Sequence, residues 1–147
     1  MPDAIEVLRA LEKYVRTCGI EPKALELIKI RASQINGCAH CLDMHAKDAR
    51  ARGETEQRIY ALNAWRETPF FTVKERAALA WTEAVTQVSA SQVSDKVYEV
   101  ARQSFEEKEL VNITVAIIAI NGWNRLAVSF RSVPGVYEPR QQPGHRE

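Results

Sequence analysis

Three observations predict an all-α fold. Apolar residues recur three and four positions apart along nearly the whole chain, the period of helices with one face in a core. Thr72 with Glu75, and Ser104 with Glu107, have the spacing of a capping box ahead of such runs. No segment alternates as a half-buried strand would, and no internal repeat or second unit is visible. The 147 residues suit one domain, large enough to bury a core without disulfide staples. We expect about seven helices over residues 1–133 and a tail at 134–147.

The first helix is expected over 4–16, where Ile5, Leu8, Leu11 and Val15 share a face and Asp3 can cap the start. Cys18 and Gly19 mark its end. Pro22 suits the first turn of a second helix, continued by Leu25, Ile28 and Ala32 toward Ile35. Asn36-Gly37 is a break, and a third helix runs from Cys38 to Arg52 and stops at Gly53. A fourth, near 55–66, carries Ile59, Leu62 and Trp65 and is closed by Pro69. Thr72 opens a fifth with Ala78, Leu79, Ala84 and Val85, and Ser94 caps a sixth with Val97, Val100 and Ala101. The longest helix, about 106–131, contains ITVAIIAI (113–120), apolar on every face and expected to be buried. From Pro134 the tail is rich in Pro, Gly and charge and should fray or dock on a neighbour.

Charge and composition narrow the function classes. The net charge is +1, with acidic and basic residues interspersed, so the basic stripe of a nucleic-acid binder is missing. No run reaches the ~20 apolar residues of a membrane span. Asp3 and Glu6 stand where a signal peptide would carry basic residues. A cytoplasmic protein is expected, in which three cysteines are reduced, catalytic or metal-binding rather than a structural framework.

Two of those cysteines and two of the three histidines fall in NGCAHCLDMHAKDARARG (36–53). Cys38, Cys41 and His45 are at i, i+3 and i+7, so one helix face presents two thiols and a base. Gly37 allows a sharp turn into the helix, placing Cys38 in the first turn, where free amides and the helix dipole favour a thiolate. His45, four residues after Cys41, can accept that thiol's proton. The dipole favours Cys38 as the attacking sulfur and the adjacent base favours Cys41. Local chemistry alone leaves both open.

Two other readings compete. A structural zinc generally takes four protein ligands, whereas Cys38, Cys41 and His45 give three and Cys18 adds a fourth only if its helix end folds onto the site. His40 points about 100° away from its helix neighbours and is a poor co-ligand. Buried cysteines also serve as small apolar residues, but a Cys-x-x-Cys pair with a His one turn on and a Gly before it makes plain packing the weaker reading. A redox pair is therefore favoured, with no metal and no cofactor expected.

The run NGCAHCLDMHAKDARARGETEQRIYALNAWRET, with ERAALAWTEAVT (75–86) and AINGWNRLAVSFRSVPG (119–135), resembles the AhpD-like alkylhydroperoxidases of the carboxymuconolactone decarboxylase superfamily. The resemblance implies an AhpD-like helical bundle and a dithiol that reduces hydroperoxides. It assigns the peroxidatic thiol to Cys41 and the resolving thiol to Cys38, and adds Glu26 to a proton relay with His45. Read without it, Glu26 is a solvated charge on the second helix. His40 stands where the family often has tyrosine, and is either a relay member with an imidazole's lower pKa or a bystander. The implied partners are a hydroperoxide and an external dithiol, which in the family can be a lipoylated protein. The implied assembly is a homo-oligomer, a trimer or a hexamer.

On this reading Cys41 passes through a sulfenic acid and Cys38 condenses with it to a disulfide. The decarboxylase branch shares the fold but works without a cysteine pair, so Cys38 and Cys41 argue against it. A non-redox enzyme of that branch, and a redox sensor or metal-binding protein without turnover, are the alternatives. Trp65, Trp81 and Trp123 are expected in core or interface packing. Asn112, Asn121 and Asn124 interrupt the last helix and need partners on neighbouring helices or across a subunit contact.

Overall fold

The computed structural model describes residues 2–140. Among them are eight α-helices: α1 (Pro2–Thr17), α2 (Pro22–Asn36), α3 (Ala39–Ala51), α4 (Glu56–Tyr60), α5 (Val73–Thr86), α6 (Val88–Ser91), α7 (Asp95–Ser104) and α8 (Glu107–Ser129). A 3-10 helix spans Leu62–Glu67, and no described residue forms a strand. The fold is all-α, as the sequence predicts.

α2 is the hub. Its first turn is capped by Glu21, whose carboxylate accepts from the Lys23 and Ala24 amides at 3.1 and 2.8 Å, with Pro22 supplying the preset φ. Its end is turned by Gly37 at φ 66°, a left-handed conformation that glycine adopts without penalty. Leu25 through Ile30 are all buried, because α2 packs against α3, α5 and α8 at once. Ile28 enters a cluster with Ala78, Trp81, Phe105 and Ile117; Leu27 and Ile30 enter another with Leu62, Trp65 and Leu79; Leu25 joins Val15, Ala116 and Ala119. A helix held on three sides leaves little freedom to the polar residues it carries inward.

Thr72 and Glu75 form the expected capping box of α5, and Ser94 Oγ accepts from the Val97 amide at the start of α7. Other expectations are corrected. Asp3 lies inside the first turn of α1, not at its cap. The fourth helix divides at Ala61 into α4 and the 3-10 helix, whose three-residue turn puts both Leu62 and Trp65 in the core. Ser104 closes α7 and forms no box with Glu107; buried Phe105 takes an extended conformation, so Glu106 precedes α8 instead. α6, a single turn, was not expected.

The apolar segment of α8 is not buried on every side: Ile118 is 55% exposed, as is Val111 one heptad earlier. By length and composition α8 would also pass as a membrane span, but it packs against α1, α2 and α5 and carries buried Asn112 and Asn124. Its amides find partners within the chain. Asn112 accepts from Tyr14 Oη at 2.7 Å, Asn121 donates to Thr86 Oγ1 at 3.0 Å, and Asn124 donates to Ser33 Oγ at 2.9 Å. Trp65 donates its indole N–H to Glu83 and Trp81 to Thr114, which fits core packing. After α8 the chain folds back, and residues 133–137 are hydrogen-bonded to α3 of the same chain; residues 141–147 are outside the described residues.

Candidate active site

Cys38 stands at the N-cap of α3, one place earlier than a first-turn residue. Its amide donates to Ser33 O at 3.0 Å and its sulfur accepts from the Cys41 amide at 3.3 Å. Cys41 therefore sits in the first turn, and the helix N-terminus favours negative charge on either sulfur. The dipole does not single out Cys38. The two sulfurs are joined as a disulfide with Cα atoms 5.3 Å apart, inside the ordinary range for such a bond. Both residues are buried, 1% exposed.

His45, one turn further along α3, faces α2 and is itself buried. Its Nδ1 lies 2.9 Å from Glu26 Oε2. Glu26 is only 2% exposed, so it is no solvated charge. Burial alone would raise its pKa, but the hydrogen bond and charge of His45, with Lys29 and Arg52, outweigh that and hold the carboxyl below its usual range. When the imidazole is neutral, an ionised Glu26 makes Nδ1 the protonated nitrogen and leaves Nε2 with its lone pair free. Arg52 Nε is 3.6 Å from Glu26 Oε1, and buried Lys29 is ion-paired with Glu12 from α1. The network thus ties α1, α2 and α3 together beneath the disulfide.

Cys41 forms part of the wall of a cavity of about 570 Å³. Ile5 and Leu8 from α1, Met44 from α3, and Trp123, Leu126 and Ala127 from α8 line it, closed by Phe130 and Ser132. His40 also lines this cavity. Its Nδ1 donates to the Val133 carbonyl at 3.0 Å, which leaves Nε2 unprotonated in the neutral ring.

Among the described residues, Cys38, Cys41, His45 and Cys18 do not come together as a four-ligand set. Cys18 is a free thiol whose Sγ donates to Val15 O, at the end of α1. The residues that do converge are Glu26, His45 and Asp48, with ligand atoms within 4.8 Å of one another. Arg52 beside Glu26 occupies that cluster with positive charge, and Asp48 Oδ1 accepts from Tyr137 Oη at 2.7 Å.

The sequence profile of the carboxymuconolactone decarboxylase family matches residues 2–84. The chain belongs to that family. Among its relatives, this carboxymuconolactone decarboxylase family member is 43% identical over 128 residues to the uncharacterised protein YdfG of Bacillus subtilis, covering 87% of each chain. The crystal structure of an Agrobacterium tumefaciens protein of unknown function, a candidate antioxidant defence protein AhpD, superposes with a TM-score of 0.90 at 48% identity, covering 93% of this chain and 94% of that one. A 47-residue stretch, 32% of this chain and 26% of the other, is 43% identical to the alkyl hydroperoxide reductase AhpD of Acidobacterium capsulatum. Within the carboxymuconolactone decarboxylase family the protein is AhpD-like.

Of the residues singled out in the sequence, Cys38 and Cys41 are bonded, His45 and Glu26 are paired, and His40 lies apart from that pair at the cavity wall. Several neighbours of the site carried no local signal. Asp48 drew no reading from the sequence, Arg52 marked only a helix end, Tyr137 fell in the tail, and Trp123 was expected in packing. Their roles depend on contacts such as the one between Tyr137 and Asp48, which no helical period encodes.

Proposed function

We propose that the protein is a thiol-dependent peroxidase that reduces hydroperoxides through Cys41 and Cys38. The observation that carries this reading is one helix bearing both a disulfide in a cavity wall and a buried imidazole held by a buried carboxylate. The disulfide is the oxidised state of the cycle. In the reduced state His45, oriented by Glu26, accepts the Cys41 proton. The thiolate attacks the distal peroxide oxygen, the O–O bond breaks, and the alkoxide leaves as alcohol after taking a proton. Cys41 is now a sulfenic acid. Cys38 attacks its sulfur and water leaves as the disulfide forms. An external dithiol then exchanges with the disulfide and leaves oxidised, restoring both thiols.

The apolar cavity supports an organic hydroperoxide as substrate, and the resemblance supports a lipoyl-type dithiol on a carrier protein as reductant. We place this chemistry on a single domain, 1–133, in a cytoplasmic homo-oligomer, a trimer or hexamer. The apolar residues left exposed on α8 support such an assembly.

The test is catalytic consumption of an organic hydroperoxide by the reduced protein with excess dithiol. Sustained turnover, lost in Cys41→Ser, supports the reading. One-time oxidation without turnover makes the protein a redox sensor, and activity that survives thiol alkylation makes it a non-redox enzyme. Either result would refute the peroxidase.

A further inference from the structure

Two carboxylates stand near one imidazole. Glu26 reaches His45 Nδ1 from α2 at 2.9 Å, and Asp48, three residues after His45 on α3, has its carboxylate within 4.8 Å of both. A second carboxylate beside the ring can compete with Glu26 for an imidazole N–H. Asp48 is engaged elsewhere: its Oδ1 accepts from Tyr137 Oη at 2.7 Å.

Tyr137 does not arrive there by chance orientation of a loose tail. The Val133 carbonyl accepts from His40 Nδ1 at 3.0 Å, the Gly135 amide donates to Asp43 Oδ2 at 3.0 Å, and the Tyr137 carbonyl accepts from Lys47 Nζ at 3.0 Å. All these anchors are on α3, as is Asp48. The segment is thus registered against the helix that carries the disulfide, and its last anchored residue meets the carboxylate beside His45.

We propose that Tyr137 is a positioning residue: its phenol occupies the Asp48 carboxylate, so that His45 is oriented by Glu26 alone. This rests on the reading of His45 as the base for Cys41. The charged groups that bear on the trio are Arg16 from α1, Lys29 from α2, itself paired with Glu12, and Arg52 at the C-cap of α3, while Lys47 of α3 holds the Tyr137 carbonyl. Arg16, Lys29 and Arg52 bear on Glu26 or Asp48 whether or not the phenol is present, so loss of the hydroxyl changes the competition for the imidazole and not the count of charges. Without it, Asp48 takes the imidazole N–H and turns the ring from Glu26. Cys41 then loses its aligned base, and its thiolate forms less readily.

The experiment is the pH dependence of Cys41 alkylation by iodoacetamide, read by mass spectrometry on the reduced full-length protein. Tyr137→Phe should move the midpoint upward by about half a pH unit, roughly a threefold rate loss on the acid limb. Adding Asp48→Asn to Tyr137→Phe should bring the midpoint back, because the amide oxygen left there is uncharged and a much weaker competitor for the N–H than a carboxylate. Tyr60→Phe, at a tyrosine 74% exposed and outside the site, is the control. An unchanged or lowered midpoint in Tyr137→Phe overturns the proposal. So does an upward shift that Asp48→Asn fails to reverse, which would mark a merely structural role. Turnover is not read here, so failure of the peroxidase assay falls on the functional reading and is told apart from failure of this one.

Discussion

Glu26 and His45 meet at 2.9 Å between two helices, and each is almost wholly shielded from water. The carboxylate rides on α2, whose neighbouring residues Leu25, Leu27 and Ile28 are locked into three separate core clusters. A rigid carrier of this kind fixes the imidazole's orientation and tautomer, which is what a base needs more than basicity itself. It also means that the pair cannot be lost without leaving a buried polar group unpartnered.

On the proposed reading of His45 as base, replacing it should therefore be costly and replacing its anchor less so. His45→Asn is expected to slow peroxide reduction by ~10²–10⁴-fold, the usual contribution of a positioned acid–base group. Glu26→Gln keeps the shape and a hydrogen-bonding group but removes the charge, and should cost about 10–100-fold. Single-turnover stopped-flow kinetics on the reduced variants checks both. Equal rates in wild type and His45→Asn would remove His45 from the chemistry.

The two sulfurs should fail differently. Cys41→Ser should leave no thiol that reacts with peroxide in the cavity, abolishing consumption. Cys38→Ser should still oxidise once, stopping at a sulfenic acid on Cys41 that dimedone traps. Mass spectrometry of the adduct decides between them. A dimedone adduct on Cys38 in the Cys41→Ser protein, formed at the wild-type rate, would reverse the assigned order.

Substrate size can be read from the cavity. Ala127 lies in its wall on α8, facing the space that Leu8 and Trp123 also border. Ala127→Phe fills part of the volume with a rigid ring. We predict a loss of about 10–100-fold in kcat/KM for cumene hydroperoxide, the range that apolar pocket contacts supply, with little change for hydrogen peroxide. A parallel loss for both substrates would show that the cavity does not receive the organic group.

How much of this was legible in the sequence depends on where each partner lies. The i, i+3, i+7 placement of Cys38, Cys41 and His45, and the glycine before them, are local, and the helix follows from them. Glu26 and Lys29 sit in LELIKI, where two charges three apart look like a solvated stripe. Both are buried because their partners come from elsewhere: His45, 19 residues away, and Glu12, 17 residues away. Resemblance supplied the role of Glu26, and local pattern did not. Tyr137 and Asp48, 89 apart, had neither signal. The division of the fourth helix was equally hidden, since Ala61 and Ala64 are good helix formers whose geometry is set by drawing Leu62 and Trp65 into the core.

Acid should unfold the protein through its paired carboxylates. Burial would raise the pKa of Glu12, Glu26, Glu75 and Glu83, but Lys29 and Arg16, His45, Arg58, and Arg66 with Trp65 and Arg31 respectively outweigh it and hold all four below the ordinary 4.5. A depressed folded pKa means the unfolded chain binds protons more readily. The stabilisation is thus present above 4.5 and is lost as the pH falls through the lower folded values. Melting temperature should hold between neutrality and about pH 5 and fall steeply below pH 4. In Glu26→Gln the fall should be shallower, and calorimetry of the two proteins across that range tests it.

The exposed strip on α8 gives the last expectation. Val111 and Ile118 are seven residues apart, hence on one face, and each is 55% exposed although Ile113, Ala116, Ile117 and Ile120 beside them are buried. Isolated apolar side chains on a surface mean little, but these extend a helix whose other faces are already packed against α1, α2 and α5. A second copy of the chain is the occupant we propose, consistent with the homo-oligomer above. Ile118→Glu places a charge in the centre of that face, and burying it unpaired would cost several kcal/mol, enough to dissociate a micromolar assembly. Light scattering should give a trimer or hexamer for the wild type and a monomer for the variant, with the same helical circular dichroism in both. A wild-type monomer at tens of micromolar would refute the assembly, and an Ile118→Glu oligomer of unchanged mass would move the interface to another face.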